Sequence, residues 1–389
     1  MEFILTMKVL IISKVPTHPT SMGNMWAVLA QAEAIRSLGV DVFFLYVHEK
    51  ALRKIGKSKE PTVIETQKYW GDRFLYYNVP LIEKLCFNTK MHLRRIFCKD
   101  YHPVDEAYPY GLSSFVEGLQ KKEKFDVCIV NYIFLSKLLT KVKFPKSAIH
   151  THDSMAYKEM KIGESCKSMT ASEEAKGLQR TSHIFALQDE EAVYFKFLSP
   201  LSHIYTIYSI YHYVPHPIAG NHNIMFLSGN NGFNQNGIKW FIKEVFPLVL
   251  KRFPDAKLKI GGGICKVMPE LKNVEGVDML GYVDSVNEFY KLGDVAINPV
   301  YQGTGLKIKT FEALSYDKVT LVHPHSMAGV YKKDEAPLFA SEKPEEWVKF
   351  LETVWDNPKH IEEIKKQNAD YMKEMNEFII SEYKRFLEA

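Results

Sequence analysis

Apolar residues along this chain fall into short blocks with two alternating periods. "MKVLIISKV" (7–15) is a compact, β-rich apolar run and predicts a buried strand. "PTHPTSMG" (16–23) reads as a loop. "NMWAVLAQAEAIRSLG" (24–39) places Trp26, Leu29, Ala30, Ile35 and Leu38 at helical spacing, with Gly39 as the stop. "VDVFFLYV" (40–47) predicts a second strand. A strand, a helix and a strand in this order open a parallel, doubly wound sheet.

The pattern continues through strands at 125–132 and 147–153, a helix over 171–183, and a strand turning into a helix over 184–195. "YHYVPHPIAGNHN" (211–223) is a Pro-, Gly- and His-rich break and reads as a linker, with the histidines of "HYVPH" (212–216) solvated. The alternation then restarts: strand 224–229, helix 237–254, strand 257–263, strand 277–283, short helix 285–293, strand 294–300 and strand 318–324. From about 344 the chain is helical and charged. The prediction is therefore α/β with two Rossmann-like doubly wound domains facing a central cleft: 1–210, a linker 211–223, 224–365, and a C-terminal helix 366–389 that crosses back to the first domain. Ligands of such sheets bind at the carboxyl ends of the strands.

Bulk composition narrows the class. A chain of 389 residues exceeds what one core usually serves. Net charge is only +4, which argues against nucleic acid as a partner. The five cysteines are odd in number and scattered (Cys86, Cys98, Cys128, Cys166, Cys265), as in a reduced, cytoplasmic protein. "MEFILTMKVLII" lacks a basic start and a small-residue cleavage site, so it does not read as a signal peptide. No run of 18 apolar residues occurs.

The loop after the first strand lacks GxGxxG, and no P-loop occurs, so a dinucleotide or NTPase site is not indicated. The informative stretch is "YQGTGLKIKTFEAL" (301–314): a glycine loop, two lysines, then a glutamate in an apolar helix. Amides freed by glycines at a helix start suit a diphosphate. The same residues could simply shape a turn. Together with Gly23, "THD" (151–153), 173–192, 226–247 and 280–300, this stretch resembles the retaining nucleotide-sugar glycosyltransferases of the GT-B fold, family 4 (group 1). No piece is decisive alone; order and spacing carry the resemblance.

The resemblance implies roles. Gly303, Thr304, Gly305 and Leu306 would cradle the donor diphosphate, with Lys307 and Lys309 neutralising the leaving charge. Glu312 would hold the ribose, a role compatible with compensating the helix dipole. Gly23 and Asn24 would form the wall from the first domain, although Asn24 equally suits a helix cap. Gly229 and the backbone near Val283 would meet the donor. His152 would contact the reacting sugar as a proton handler, and Asp153 would lie on the acceptor side. Two departures stand out. The family pattern has two glutamates eight apart, whereas here Gln302 lies ten positions before Glu312; and "SGNNGFNQNG" (228–237) has no arginine.

No DxD motif occurs, so neither a metal nor a cofactor is expected; the nucleotide-sugar is a substrate. "KALRKIGKSK" (50–59) and 79–99 interleave basic and apolar residues, a surface suited to an anionic membrane and a lipid-linked acceptor, or simply a solvated face covering core. The expected function is transfer of a sugar from a nucleotide-diphosphate donor to a glycan or lipid-linked hydroxyl in polysaccharide synthesis, at the inner face of the membrane. The alternatives are a sugar-nucleotide 2-epimerase of the same fold and a non-catalytic sugar-nucleotide-binding subunit.

Overall fold

The computed structural model describes residues 7–20, 23–49, 61–97, 101–162, 167–303 and 305–389. The basic stretch 50–59, Thr304, Cys98 and Cys166 lie outside the described residues. The chain forms two compact units, one of residues up to Ile210 plus Phe378–Ala389, the other Tyr211–Glu377.

The first unit contains β1 (Lys8–Ser13), α1 (Gly23–Ser37), β2 (Asp41–His48), α2 (Pro61–Trp70), β3 (Phe74–Asn78), α3 (Leu81–Phe97), α4 (Leu112–Glu123), β4 (Val127–Asn131), β5 (Lys146–His150), α5 (Ala171–Leu178), β6 (His183–Ala186), α6 (Asp189–Leu198) and β7 (His203–Thr206). Its seven strands are parallel in the order β3-β2-β1-β4-β5-β6-β7. Helices cover both faces, so central strands must be apolar on both sides. That is why "VLIIS" of β1 and "VCIVN" of β4 are buried throughout.

The second unit contains β8 (Asn223–Leu227), α7 (Gly232–Trp240), a π-turn (Phe241–Val245), α8 (Phe246–Arg252), β9 (Lys257–Gly261), β10 (Val277–Gly281), α9 (Val286–Tyr290), β11 (Val295–Asn298), α10 (Ile308–Ser315), β12 (Val319–Val322), β13 (Leu338–Ala340), α11 (Pro344–Trp355) and α12 (Pro358–Glu388). Its sheet order is β10-β9-β8-β11-β12-β13. In both sheets the winding reverses direction once, at β1/β4 and at β8/β11. Loops leaving the strands there diverge and open a crevice, the usual ligand position in such sheets.

Three differences from the sequence reading have physical causes. Strands β3, β7 and β13 escape a search for apolar runs because they are short and partly exposed. The helix expected from Gly237 begins at Gly232, because Asn231 Oδ1 accepts the Asn234 amide at 2.8 Å and caps it. Its π-turn ends two residues before Pro247, which has no N–H to offer the preceding turn. Finally, His216 is buried, not solvated: its Nε2 meets Asn287 Oδ1 at 2.8 Å and its carbonyl accepts from Lys365 Nζ at 2.8 Å. Residues 211–220 are hydrogen-bonded into the second unit. Asp294 accepts the amides of Ala219 and Gly220, each at 2.9 Å, and Tyr213 donates to Asp317 at 2.6 Å.

The last turns of α12 belong to the first unit. Tyr383 and Phe386 are buried there, and Phe386 meets Phe185 edge-on at 4.8 Å. Lys146 Nζ caps the helix end by donating to the carbonyls of Phe386 and Leu387, both at 3.0 Å.

Candidate functional site

In the second unit, the loops leaving β8 and β11 meet at the reversal point. Gly303 and Gly305 take positive φ, +102° and +74°, which disfavours any residue with a side chain. A Cβ on Gly303 would stand 3.0 Å from the Phe233 ring. The loop is pinned from two sides. His325 Nε2 donates to the Gly303 carbonyl at 2.9 Å, and Lys307 Nζ donates to the Gly305 carbonyl at 3.1 Å. The carbonyls are thus turned toward protein donors.

Lys309 is the second residue of α10, and its Nζ donates to Asn234 Oδ1 at 2.7 Å. Asn234 in turn donates through Nδ2 to the Gly229 carbonyl at 3.1 Å. One carboxamide therefore ties the glycine loop after β8 to the lysine after β11. Gly229 itself is exposed, with open space where a Cβ would be. Burial pulls the Lys309 ammonium down to about 8, against a partly opposing pull from Glu312. A buried cation whose hydrogen-bond partner is a neutral amide is under-compensated, and an anion would relieve it.

Glu312 sits one turn further along α10. Its Oε1 accepts from the buried Tyr290 hydroxyl at 3.1 Å, and burial pushes its carboxyl above the ordinary range. Both lysines, Glu312 and the start of α10 thus share one end of the sheet. Lys307 is the residue before α10 and Lys309 lies inside it. Leu306 contributes its carbonyl to the Ile308 amide at 3.0 Å. The Val283 side chain packs inward; a Cβ on Gly261 would lie 2.7 Å from it. Gln302 is exposed, and Asn236 Nδ2 approaches its Oε1 at 3.5 Å. Sequence reasoning missed Asn234, Tyr290 and His325. Asn234 is one of four asparagines between 230 and 236, and nothing in the sequence sets it apart.

In the first unit, the matching crevice holds an uncharged polar array. His150 ends β5 and Asn131 ends β4. Gln31 of α1 reaches both: its Nε2 stands 2.6 Å from His150 Nδ1, and its Oε1 accepts from Asn131 Nδ2 at 3.0 Å. Asn131 Oδ1 then meets His152 Nε2. His152 has φ +60° and stacks on His150 at 4.1 Å and on Tyr132 at 4.7 Å. Burial drives its imidazole down to about 3. The neutral ring is thereby favoured, and it meets its neighbours through hydrogen bonds and stacking.

Asp153 pairs with Lys158 through Oδ2, while its Oδ1 is buried without a partner. The loop that presents both residues is held by two buried carboxylates. Glu174 accepts the amides of Met155 and Ala156 at 2.7 and 3.0 Å. Burial and the Asp153 charge push Glu191 up to about 7. Gly23 is the exposed first residue of α1, and Asn24 Oδ1 accepts the Met25 amide at 2.9 Å. Among the described residues no group of three His, Cys, Asp or Glu is arranged to hold a metal ion.

Comparison with known proteins places this geometry. Residues 221–357 match the family described as Glycosyl transferases group 1. A stretch of 105 residues is 29% identical to an uncharacterized 44.6 kDa protein of the cps region of Klebsiella pneumoniae, covering 24% of this chain and 27% of that one. That stretch thus spans about a quarter of the relative's length. Several solved structures superpose over 98% of the chain. They include TarM of S. aureus (TM-score 0.68, 11% identity, 99% of its chain) and sucrose-phosphate synthase of Thermosynechococcus elongatus (0.67, 13%, 98%). The pneumococcal O-GlcNAc transferase GtfA, solved with UDP and GlcNAc, gives 0.63, 10% and 98%. At these identities the likeness establishes the fold, which is GT-B.

Proposed function

Taking as premise that residues 221–357 are a group 1 glycosyltransferase domain within a GT-B chain, we propose that the protein transfers a sugar from a nucleoside-diphosphate donor to a hydroxyl acceptor. The observation that carries this reading is the convergence of Lys307, Lys309, the left-handed glycines and Glu312 at the reversal point of the second sheet. In the transfer, the bond between the anomeric carbon and the diphosphate oxygen breaks. The electron pair leaves with the diphosphate, and the acceptor oxygen bonds to the anomeric carbon on the same face. The acceptor proton passes to the departing phosphate oxygen.

Lys307 and Lys309 stabilise the charge that develops on that oxygen and supply what a metal would otherwise bring. One such donor is worth about 3 kcal/mol of barrier. Asn234 holds Lys309 in place. Glu312, tied to Tyr290, accepts from the ribose hydroxyls. The resemblance implies retention at the anomeric carbon, His152 at the reacting sugar and Asp153 toward the acceptor. The relative from a cps region supports a polysaccharide or other glycan product. An epimerase would turn over nucleotide-sugar alone. Following a donor by NMR with and without acceptor therefore tests the reading: acceptor-dependent loss of donor supports it, and acceptor-free interconversion replaces it.

Membrane contact is part of the same proposal. Helix α3 is amphipathic but carries its larger apolar side chains outward: Ile82 is 71% exposed, Ile96 57% and Phe97 75%. Lys90, His92 and Arg95 share that exposed side. Such a face suits the interface of an anionic bilayer. No described helix is long and apolar enough to cross a membrane. Vesicles with anionic lipid should float the wild-type protein at low salt and lose it with Ile82→Glu/Phe97→Glu; equal flotation of both ends the idea.

A further inference from the structure

We infer that Glu174 is a positioning residue: its carboxylate fixes the backbone of Met155 and Ala156, and thereby the loop that presents His152 and Asp153. The catalytic part of this inference rests on the proposed contact of those two residues with the reacting sugar and the acceptor. The placement of the loop is a statement about the protein alone.

The loop is strained at both ends. His152 takes φ +60° and Tyr157 φ +56°, and neither is a glycine. Side chains in this region cost free energy, so such residues persist only where their surroundings hold them. Main-chain bonds hold the outer ends: the Thr151 amide donates to the Phe185 carbonyl at 3.1 Å, and the Tyr157 amide to the Met169 carbonyl at 2.8 Å. Between them the loop leans on Glu174. Its Oε1 accepts the Met155 amide at 2.7 Å and its Oε2 the Ala156 amide at 3.0 Å. Oε2 also accepts from the Tyr194 hydroxyl at 3.1 Å. Main-chain amides only donate and an ionised carboxylate only accepts, so the direction of both amide bonds is fixed.

Glu174 lies on α5 and is 0% exposed. Burial pushes its carboxyl up, against the pull of its three donors. A buried carboxylate is a poor source of stability. What this one supplies is direction. Its two oxygens hold consecutive amides, and so fix the two peptide planes that flank Met155. Asp153 is two residues upstream and His152 three, inside the strained stretch that these planes close.

Glu174→Gln keeps the shape and tests the role. A carboxamide has one accepting oxygen and an NH2 group that only donates. Whichever way it turns, the NH2 group confronts a main-chain N–H, that of Met155 or that of Ala156. Hydrogen exchange of the full chain, read by mass spectrometry, should show both amides protected in the wild type, and one or both exposed in Glu174→Gln. Unprotected exchange there in the wild type, or wild-type protection in Glu174→Gln, overturns the inference. In a transfer assay, kcat/KM for the acceptor should fall at least about 10-fold in Glu174→Gln with the donor KM within about twofold. Tyr194→Phe removes the donor from α6 and leaves both amides paired, so it should stay within about threefold of the wild type. A merely structural role would move both variants alike. Equal losses, or a loss confined to donor KM, therefore contradict positioning. If Glu174→Gln fails to fold, Glu174→Asp, with both accepting oxygens and a shorter reach, takes its place and should show the same split. If wild-type protein turns over no donor at all, the functional reading fails, and exchange at Met155 and Ala156 still decides whether Glu174 sets the loop.

Discussion

Lys309 offers a sharp pH prediction. Burial lowers its ammonium from the ordinary 10.5 to about 8, and its hydrogen-bond partner is the neutral Asn234 carboxamide. A bound diphosphate would restore the charged form, so binding takes up a proton wherever the free protein has lost one. The sign follows: affinity is full below pH 8 and falls as pH rises above it. With a free-state value near 8, the fraction of free protein with Lys309 charged is about nine-tenths at pH 7, a half at pH 8 and a tenth at pH 9. Kd for the nucleoside diphosphate should therefore weaken about 10-fold from pH 7 to pH 9, or about 1.4 kcal/mol. Isothermal titration at these pH values, with buffers of different ionisation enthalpy, reads both Kd and proton uptake. Uptake should be about half a proton at pH 8 and rise to about nine-tenths at pH 9. Arginine is charged throughout, so Lys309→Arg should flatten the profile. The difference between the two proteins removes any titration of the base itself. A flat wild-type profile, or an identical slope in Lys309→Arg, refutes the reasoning.

Other outcomes follow from single residues. Glu191, raised from 4.5 to about 7, is more protonated in the folded state than in the unfolded one across that window. The stability this protonation contributes is full below pH 4.5 and is lost as pH rises through 7, about 3 kcal/mol in all; urea midpoints of Glu191→Gln should lack that slope, and an unchanged slope assigns it elsewhere. Gly303→Ala forces a side chain into φ +102° against Phe233, at a local cost of about 1–3 kcal/mol; nucleotide affinity should fall at least about 10-fold with little change in Tm, and wild-type affinity would show that the loop geometry does not matter. Phe386→Ala empties a buried position against Phe185 and should cost about 3–5 kcal/mol in denaturant titrations. A loss below about 1 kcal/mol would mean that the end of α12 is not part of the first unit's core.

Much of the fold is legible because parallel sheets write themselves plainly. β1, β2, β4 and β11 are buried on both faces, so each is an unbroken apolar run. Edge strands such as β3, with its half-exposed "FLYYN", carry no such run and are lost. Lys307, Lys309 and Glu312 could be singled out because a glycine loop, a strand before it and a helix after it define their surroundings. Asn234 and Gln31 could not. Each works through a carboxamide whose partners lie 75 and 100 or more positions away in the chain. Charge states are equally hidden: nothing in "THD" shows that His152 is buried deeply enough to stay neutral. The same holds for His216, which sits in a Pro- and Gly-rich segment that resembles a solvated linker and is in fact hydrogen-bonded into the second unit.

The central claim is that the end of the second sheet around 303–312 holds a nucleoside diphosphate-sugar. Titrating the full chain with UDP-, GDP-, ADP-, TDP- and CMP-sugars, alongside Lys307→Met and Glu312→Gln, tests it most directly. The account predicts that one of the diphosphate donors binds the wild type, that both variants lose most of that affinity, and that all three proteins keep the same fold by circular dichroism. Binding of none of these donors, or equal binding by the folded variants, would contradict it.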